Sequence, residues 1–202
     1  LIPGEPHNES VPLLKLKSGF SISYQGLYGG QRIITCDNIS LWSKRLSTEK
    51  GANTLDKIYI YCDGGCRGNG KENNVGGWGV YLSYKNTTKE LYGGTKNTTN
   101  NIMELTSCIE GLRAITKKDI PVEVVMDSAY VVKGITEWVH NWIKKGWMTS
   151  QKKPVENKEL WETLYKLRKE FSNITFIQVK GHASNAGNNK ADELANRAMD
   201  EL

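Results

Sequence analysis

A chain of 202 residues has room for one domain with a sizeable core plus an appendage, or for two small domains, and 38% hydrophobic with 24% charged residues exclude a disordered polymer. No apolar stretch approaches the roughly 20 residues that span a bilayer, and the opening LIPGEPHNESVPLLKLKSG lacks the basic-then-apolar order of a secretory signal, so no membrane partner is expected. The net charge of +5 favours a polyanionic partner only mildly; the cysteines (Cys36, Cys62, Cys66, Cys108) lack zinc-finger spacing, so reduced thiols and a cytoplasmic location are expected.

Residues 1–55 and 56–202 differ in character. The first stretch has scattered prolines, a YGGQ turn and one short β-like run, Arg32–Cys36, and reads as an N-terminal extension of unknown structure and role. The small polar stretch Ser47–Thr54 reads as a linker. Beyond it, Lys57–Cys62 (KIYIYC) and Trp78–Tyr84 (WGVYLSY) are rich in β-branched and aromatic residues, and Lys89–Lys96 follows a polar turn. Together they predict a three-stranded antiparallel meander. A helix is expected from about 101 to 117, because Ile102, Leu105, Ile109 and Leu112 recur at helical spacing.

Val122–Met126 (VEVVM) reads as a short buried strand. A second helical stripe follows in Val131, Ile135, Trp138 and Trp142, leading into the lysine-rich tract Lys144–Lys153. A helix near 157–171, the strand ITFIQVK and a last helix from about 188 complete the pattern. The class is α/β, a mixed sheet covered by helices.

Four carboxylates stand at the ends of these elements. Asp63 ends the first predicted strand, Glu104 is expected in the first turn of the first helix, Asp127 follows the buried strand, and Asp192 is expected in the first turn of the last helix. Each has a local explanation. Asn101-x-x-Glu104 and Asn189-x-x-Asp192 have the form of capping boxes, Asp127 of an N-cap, and Asp63 of a turn residue. As a set they say more. If the strands before Asp63 and Asp127 are parallel neighbours, both acids emerge at one sheet edge, where α/β folds build sites. Clustered acids repel unless cations neutralise them, and all-oxygen donors favour Mg²⁺ or Mn²⁺. Two such ions about 4 Å apart suit phosphodiester cleavage.

The motifs YCDGGCRGN, TTNNIMEL, VVMDSAYV, GITEWVHNWIKKGWMTSQKKPVENKELW and VKGHASNAGNNKADELA occur in the order found in type 1 ribonuclease H. Over residues of about 57–200 the chain resembles the bacterial kind that carries a basic protrusion. The resemblance implies a ribonuclease H-like fold with a five-stranded mixed sheet flanked by helices. It also implies hydrolysis of the RNA strand of RNA–DNA hybrids, leaving 3′-hydroxyl and 5′-phosphate ends, by a monomer using two Mg²⁺ ions, with Mn²⁺ as a substitute. By the same resemblance Asp63 bridges both ions, Glu104 and Asp127 hold one, Asp192 helps hold the other, and His182 assists proton transfer or product release.

Substrate positions follow from the same source. Backbone amides near Cys66–Asn69 and the side chains of Asn69, Asn100, Asn101 and Ser128 correspond to positions around the RNA strand. Thr99, Asn101, Trp138 and Asn141 correspond to positions facing DNA. Lys144, Lys145, Lys152 and Lys153 correspond to the protrusion that binds phosphates. Of Trp138 and Trp142, which share a stripe, at least one is expected to pack inward, and Trp138 is the one assigned to DNA. Gly64 and Gly65 are expected to let a phosphate backbone approach.

The sequence departs from the pattern at Ala129, where a longer polar side chain is usual, and in GNGKENNVGG, which predicts an enlarged first hairpin loop. Residues 1–55 lack the aromatic, lysine-rich pattern of a hybrid-binding domain. The alternatives are a DNA-cutting nuclease on the same scaffold, a non-catalytic nucleic-acid-binding module, and the nuclease segment of a reverse-transcriptase-like polyprotein.

Overall fold

A computed structural model describes residues 22–28, 31–36, 56–181 and 185–202 of the chain. Its centre is the expected meander, β3 (Ile58–Arg67), β4 (Val75–Tyr84) and β5 (Thr87–Lys96), in antiparallel register. β6 (Val122–Met126) and β7 (Ile174–Gln178) add to the β3 side as parallel strands, completing the five-stranded mixed sheet. Two further strands, β1 (Ile22–Tyr28) and β2 (Gln31–Cys36), form a hairpin whose second strand pairs antiparallel with β5, Ile34 opposite Tyr92. The sheet order is therefore β1-β2-β5-β4-β3-β6-β7. The run Arg32–Cys36 foreshadows β2, but β1 carries Gly26 and a register irregularity between Tyr24 and Leu27, which blur its alternation.

Period-two alternation sets the two faces of β3. Ile58, Ile60 and Cys62 are buried against α1 (Asn100–Arg113), whereas Tyr59 and Tyr61 lie half-buried on the other face. Leu105, Cys108, Ile109 and Leu112 of α1 are fully buried, and α4 (Lys158–Arg168) packs outside it with Trp161 and Leu164 in the core. The helix ends at Arg113, four residues short of the expected 117, with Ala114 as its C-cap.

The stripe Val131, Ile135, Trp138, Trp142 needs correction. Between α2 (Ala129–Lys133) and α3 (Val139–Lys144) the chain makes a π-helical turn over Gly134–Trp138. Wider winding there shifts the inward face by one residue, so Val139 is fully buried where the regular period selects Trp138. Gly134 sits under the Trp161 ring, which fills the space a Cβ would take.

The opposite face is covered by α5 (Ala186–Asp200), which starts two residues before the expected 188. It lies close because β4 supplies glycines beneath it: a Cβ on Gly77 would fall 2.2 Å from the Ala195 carbonyl oxygen, and one on Gly79 would fall 2.1 Å from that of Ala191. No helix among the described residues is long and apolar enough to cross a membrane. Since α5 carries Asp192, this approach sets where that acid stands. Gly79→Ala forces helix and sheet apart and is expected to lower stability by about 1–3 kcal/mol in urea unfolding, the usual cost of overpacking.

Candidate active site

β3 and β6 run parallel in register from Ile58 opposite Val122 to Tyr61 opposite Val125. Two residues further on, Asp63 and Asp127 leave at the same end, as the neighbouring-strand argument requires. β6 stops at Met126, but β3 continues to Arg67 beside β4 alone, with Gly64 opposite Trp78 and Gly65 opposite Gly77. Asp63 is thus a mid-strand residue and not a turn residue. The crevice opens where β3 loses its neighbour.

The first turn of α1 enters that crevice over Gly64. A Cβ there would lie 2.3 Å from the Glu104 nitrogen and the Met103 carbonyl carbon. Gly64 therefore admits the helix backbone, which corrects the expectation that it admits a phosphate. This approach brings Glu104 to the strand acids, and oxygen atoms of Asp63, Glu104 and Asp127 lie within 4.8 Å of one another. α5 adds Asp192, and the four acids line one cavity of about 230 Å³ together with Asn100 and Asn196.

None of the local capping explanations applies, and contrary to expectation neither Glu104 nor Asp192 lies in the first turn of its helix, because α1 begins at Asn100 and α5 at Ala186. The hydroxyl of Thr99 accepts from the Ile102 N–H at 3.3 Å to cap α1, Ser128 accepts from the Val131 N–H at 3.4 Å to cap α2, and Asn185 accepts from the Asn188 N–H at 3.0 Å to cap α5. The helix ends are satisfied by neutral side chains, so the acids are spent on each other. Burial, followed by the charges of Asp127 and Asp192, pushes the Asp63 carboxyl up to about 8, against the 2.8 Å hydrogen bond it accepts from the Gly64 N–H. Glu104 is raised by burial first and by Asp63 and Asp127 second, against a hydrogen bond with Asn100. Its Oε2 is buried with no hydrogen-bond partner. A hard divalent cation fits this donor set, because it would take the orphaned oxygen and cancel the repulsion.

Beside the cavity runs a groove of about 460 Å³ whose lining includes Asn69, Thr99, Asn100, Asn101 and Asn157. It gathers four of the residues expected to touch substrate. Asn100 belongs to both spaces, and its backbone N–H donates to Asn69 Oδ1 at 3.2 Å. The thiol of Cys66 donates to Asn74 Oδ1 at 3.4 Å, and Ser128 serves as the α2 cap. Trp142 packs inward against Trp161, ring centroids 5.3 Å apart, while Trp138 stays half-buried against Tyr130 and Trp142. Asn141, Lys144, Lys145, Lys152 and Lys153 are exposed. The lysine tract doubles back through a bridge between Met148 and Pro154 and is pinned by the Val155 N–H donating to the Trp147 carbonyl at 2.9 Å.

His182 lies outside the described residues. Gly181 before it sits against Asp127, where a Cβ would fall 2.5 Å from Oδ2. Sequence reasoning misses Asn74, which closes the enlarged loop of residues 68–74. Its Oδ1 accepts from the Thr98 N–H at 2.8 Å and its Nδ2 donates to the Lys71 carbonyl at 2.9 Å, tying the loop to the approach to α1. Among the consecutive polar residues of GKENN nothing sets it apart. Sequence reasoning also misses Asn196, although its position four residues beyond Asp192 is a visible signal.

A mixed sheet against which two helices bring Glu104 and Asp192 beside Asp63 and Asp127 defines the class: an enzyme fold built to hold a divalent cation with oxygen donors. Comparison with known proteins narrows it. The RNase H family model matches residues 56–200. The Ribonuclease H of Ruthia magnifica subsp. Calyptogena magnifica is 49% identical over 148 residues, 73% of this chain and 99% of that protein. The Ribonuclease H of Coxiella burnetii is 52% identical over 145 residues, 72% of this chain and 91% of that one. The crystal structure of LC9-RNase H1, a type 1 RNase H with the type 2 active-site motif, is 31% identical with a TM-score of 0.65 and matches 75% of each chain. The chain belongs to the ribonuclease H family, the enzymes that hydrolyse the RNA strand of RNA–DNA hybrids.

The raised Asp63 carboxyl has a measurable sign. The folded protein holds that proton up to about pH 8, whereas an unfolded Asp releases it near 3.9, so without a cation stability falls as pH rises between those values and levels off above. In EDTA, Asp63→Asn is expected to melt above the parent at pH 9, with the gain shrinking toward pH 4. A divalent cation at pH 8 should raise the parent Tm and leave that of the variant nearly unchanged.

Proposed function

We propose that Asp63, Glu104, Asp127 and Asp192 are the catalytic carboxylates and that they hold two Mg²⁺ ions, which Mn²⁺ can replace. The observation that carries this reading is the convergence of Asp63, Glu104 and Asp127 oxygens within 4.8 Å, together with a buried Glu104 Oε2 that has no hydrogen-bond partner. When bound, the ions supply Lewis-acid polarisation of the scissile phosphate and a water ready for attack.

The chain's own residues supply placement. Asp63 stands in a strand paired with β4, opposite Gly79, which holds its backbone in place for the reaction. Asn69, Asn100 and Asn101 offer amides to the RNA strand, whose 2′-hydroxyls distinguish it from DNA. Thr99, Trp138 and Asn141 face the DNA strand, and the amide of Cys66 and the hydroxyl of Ser128 complete the contacts around the RNA. Lys144, Lys145, Lys152 and Lys153 hold backbone phosphates without reading sequence. His182 moves a proton or assists product release from the connection that follows Gly181. Residues 56–202 form the catalytic unit and residues 1–55 an extension to it.

The test is cleavage of one sequence presented as hybrid, double-stranded RNA and double-stranded DNA, each strand labelled, with Mg²⁺ or EDTA. Metal-dependent cutting of the RNA strand of the hybrid alone is expected, and Asp127→Asn should reduce it by about 10²–10³-fold, the scale of several kcal/mol of lost charge stabilisation. No hybrid cutting by folded protein in Mg²⁺ or Mn²⁺ would sink the reading. Replacing all four lysines by alanine should raise KM with little change in kcat. It should also flatten the salt dependence of binding by about 0.7–0.9 for each phosphate no longer neutralised.

A further inference from the structure

Asp192 does not stand on α5 unaided. The amide nitrogen of Asn196, one turn along, donates to Asp192 Oδ1 at 2.9 Å and to the Asp192 carbonyl at 3.0 Å. The amide oxygen of Asn196 accepts from Nη2 of Arg67 at 3.1 Å, and Nη1 of the same guanidinium donates to Asp200 Oδ1 at 2.5 Å. Asp192, Asn196 and Asp200 follow one another at four-residue spacing, hence on one stripe of the helix. Arg67 is the last residue of β3, the strand that carries Asp63.

The chemistry of these groups fixes the direction of the chain of bonds. A guanidinium can only donate, so the side of the Asn196 amide that faces Arg67 must be its oxygen. The nitrogen is then turned toward Asp192, which receives a neutral donor in place of a second lone pair. The positive charge of Arg67 is met by Asp200 and reaches Asp192 only through a neutral amide. Arg67 therefore orients the carboxylate through the amide and does not itself neutralise it.

We propose that Asn196 is a positioning residue for Asp192 and that Arg67 sets its amide orientation, so that cation affinity at the Asp192 side depends on a β3 side chain that reaches Asn196 and Asp200. The inference rests on Asp192 as a cation ligand, as proposed above. Partners that orient ligating carboxylates typically change metal affinity by about 10–100-fold. The Arg67–Asp200 pair is exposed, with side chains 50% and 65% accessible, and such pairs add little stability. A merely structural role for Arg67 therefore predicts almost no effect of any kind.

The experiment is calorimetric titration of Mn²⁺ into metal-free protein at pH 8, with melting of the metal-free proteins alongside. Asn196→Ala is expected to weaken Mn²⁺ binding at least tenfold, and Arg67→Leu severalfold with the metal-free Tm nearly unchanged. Adding Arg67→Leu to Asn196→Ala should cost nothing further, because the two act in series. Unchanged Mn²⁺ affinity in either single variant, or independent losses in the double variant, overturns the inference. If Asn196→Ala does not fold, Arg67→Leu decides by itself. A parent that takes up no Mn²⁺, or Asp192→Asn that binds it as tightly as the parent, overturns the ligand role of Asp192. Normal behaviour of those two beside an unaffected Asn196→Ala overturns the positioning role alone.

Discussion

The packing on which the site depends is between two backbones: the first turn of α1 resting on Gly64. Any side chain at that strand position would hold Met103 and Glu104 off the sheet. The core of the domain and the position of Glu104 are therefore one decision, since the same helix buries Leu105, Ile109 and Leu112. A similar economy governs the other face, where Gly77 and Gly79 let α5 down onto β4 and so bring Asp192 near Asp63. Close helix–sheet packing through strand glycines is a structural device here with a chemical result.

Four acids at one sheet end work against folding. Burial and mutual repulsion both favour the protonated forms of Asp63 and Glu104. The surrounding structure accepts this because the elements that carry the acids are held elsewhere, by neutral caps at Thr99, Ser128 and Asn185 and by two hydrophobic clusters, the smaller one under α5. A group strained in this way is poised to exchange a proton for a cation. The strain and the function share one source.

Much of this is legible in the sequence, and the parts that are not have specific causes. The order of strands and helices, the four acids and the polar cluster around Asn100 can be read because each depends on periodicity or on a motif of adjacent residues. The glycines of β3 mislead because CDGGC has turn composition, and only the partner helix reveals that Gly64 admits a backbone. Trp138 falls on the buried stripe by spacing because a π turn leaves no mark in a pattern of period 3.6, and Gly134 gives no sign that a Trp161 ring lies over it. Thr99, Ser128 and Asn185 cap their helices while nearby acids satisfy the same sequence rule. Local signals cannot choose between them.

The hairpin β1–β2 changes what the sheet shows to other molecules. A five-stranded version would end at β5, a ten-residue strand with a long free row of amides and carbonyls, which is a template for pairing with a second chain. β2 occupies that row through residues opposite Leu91 to Gly94, and among the described strands the outermost becomes β1. The irregularity between Tyr24 and Leu27 interrupts the hydrogen-bonding rhythm of this new border. The part of the β5 edge from Leu91 to Gly94 is thereby taken up within the chain.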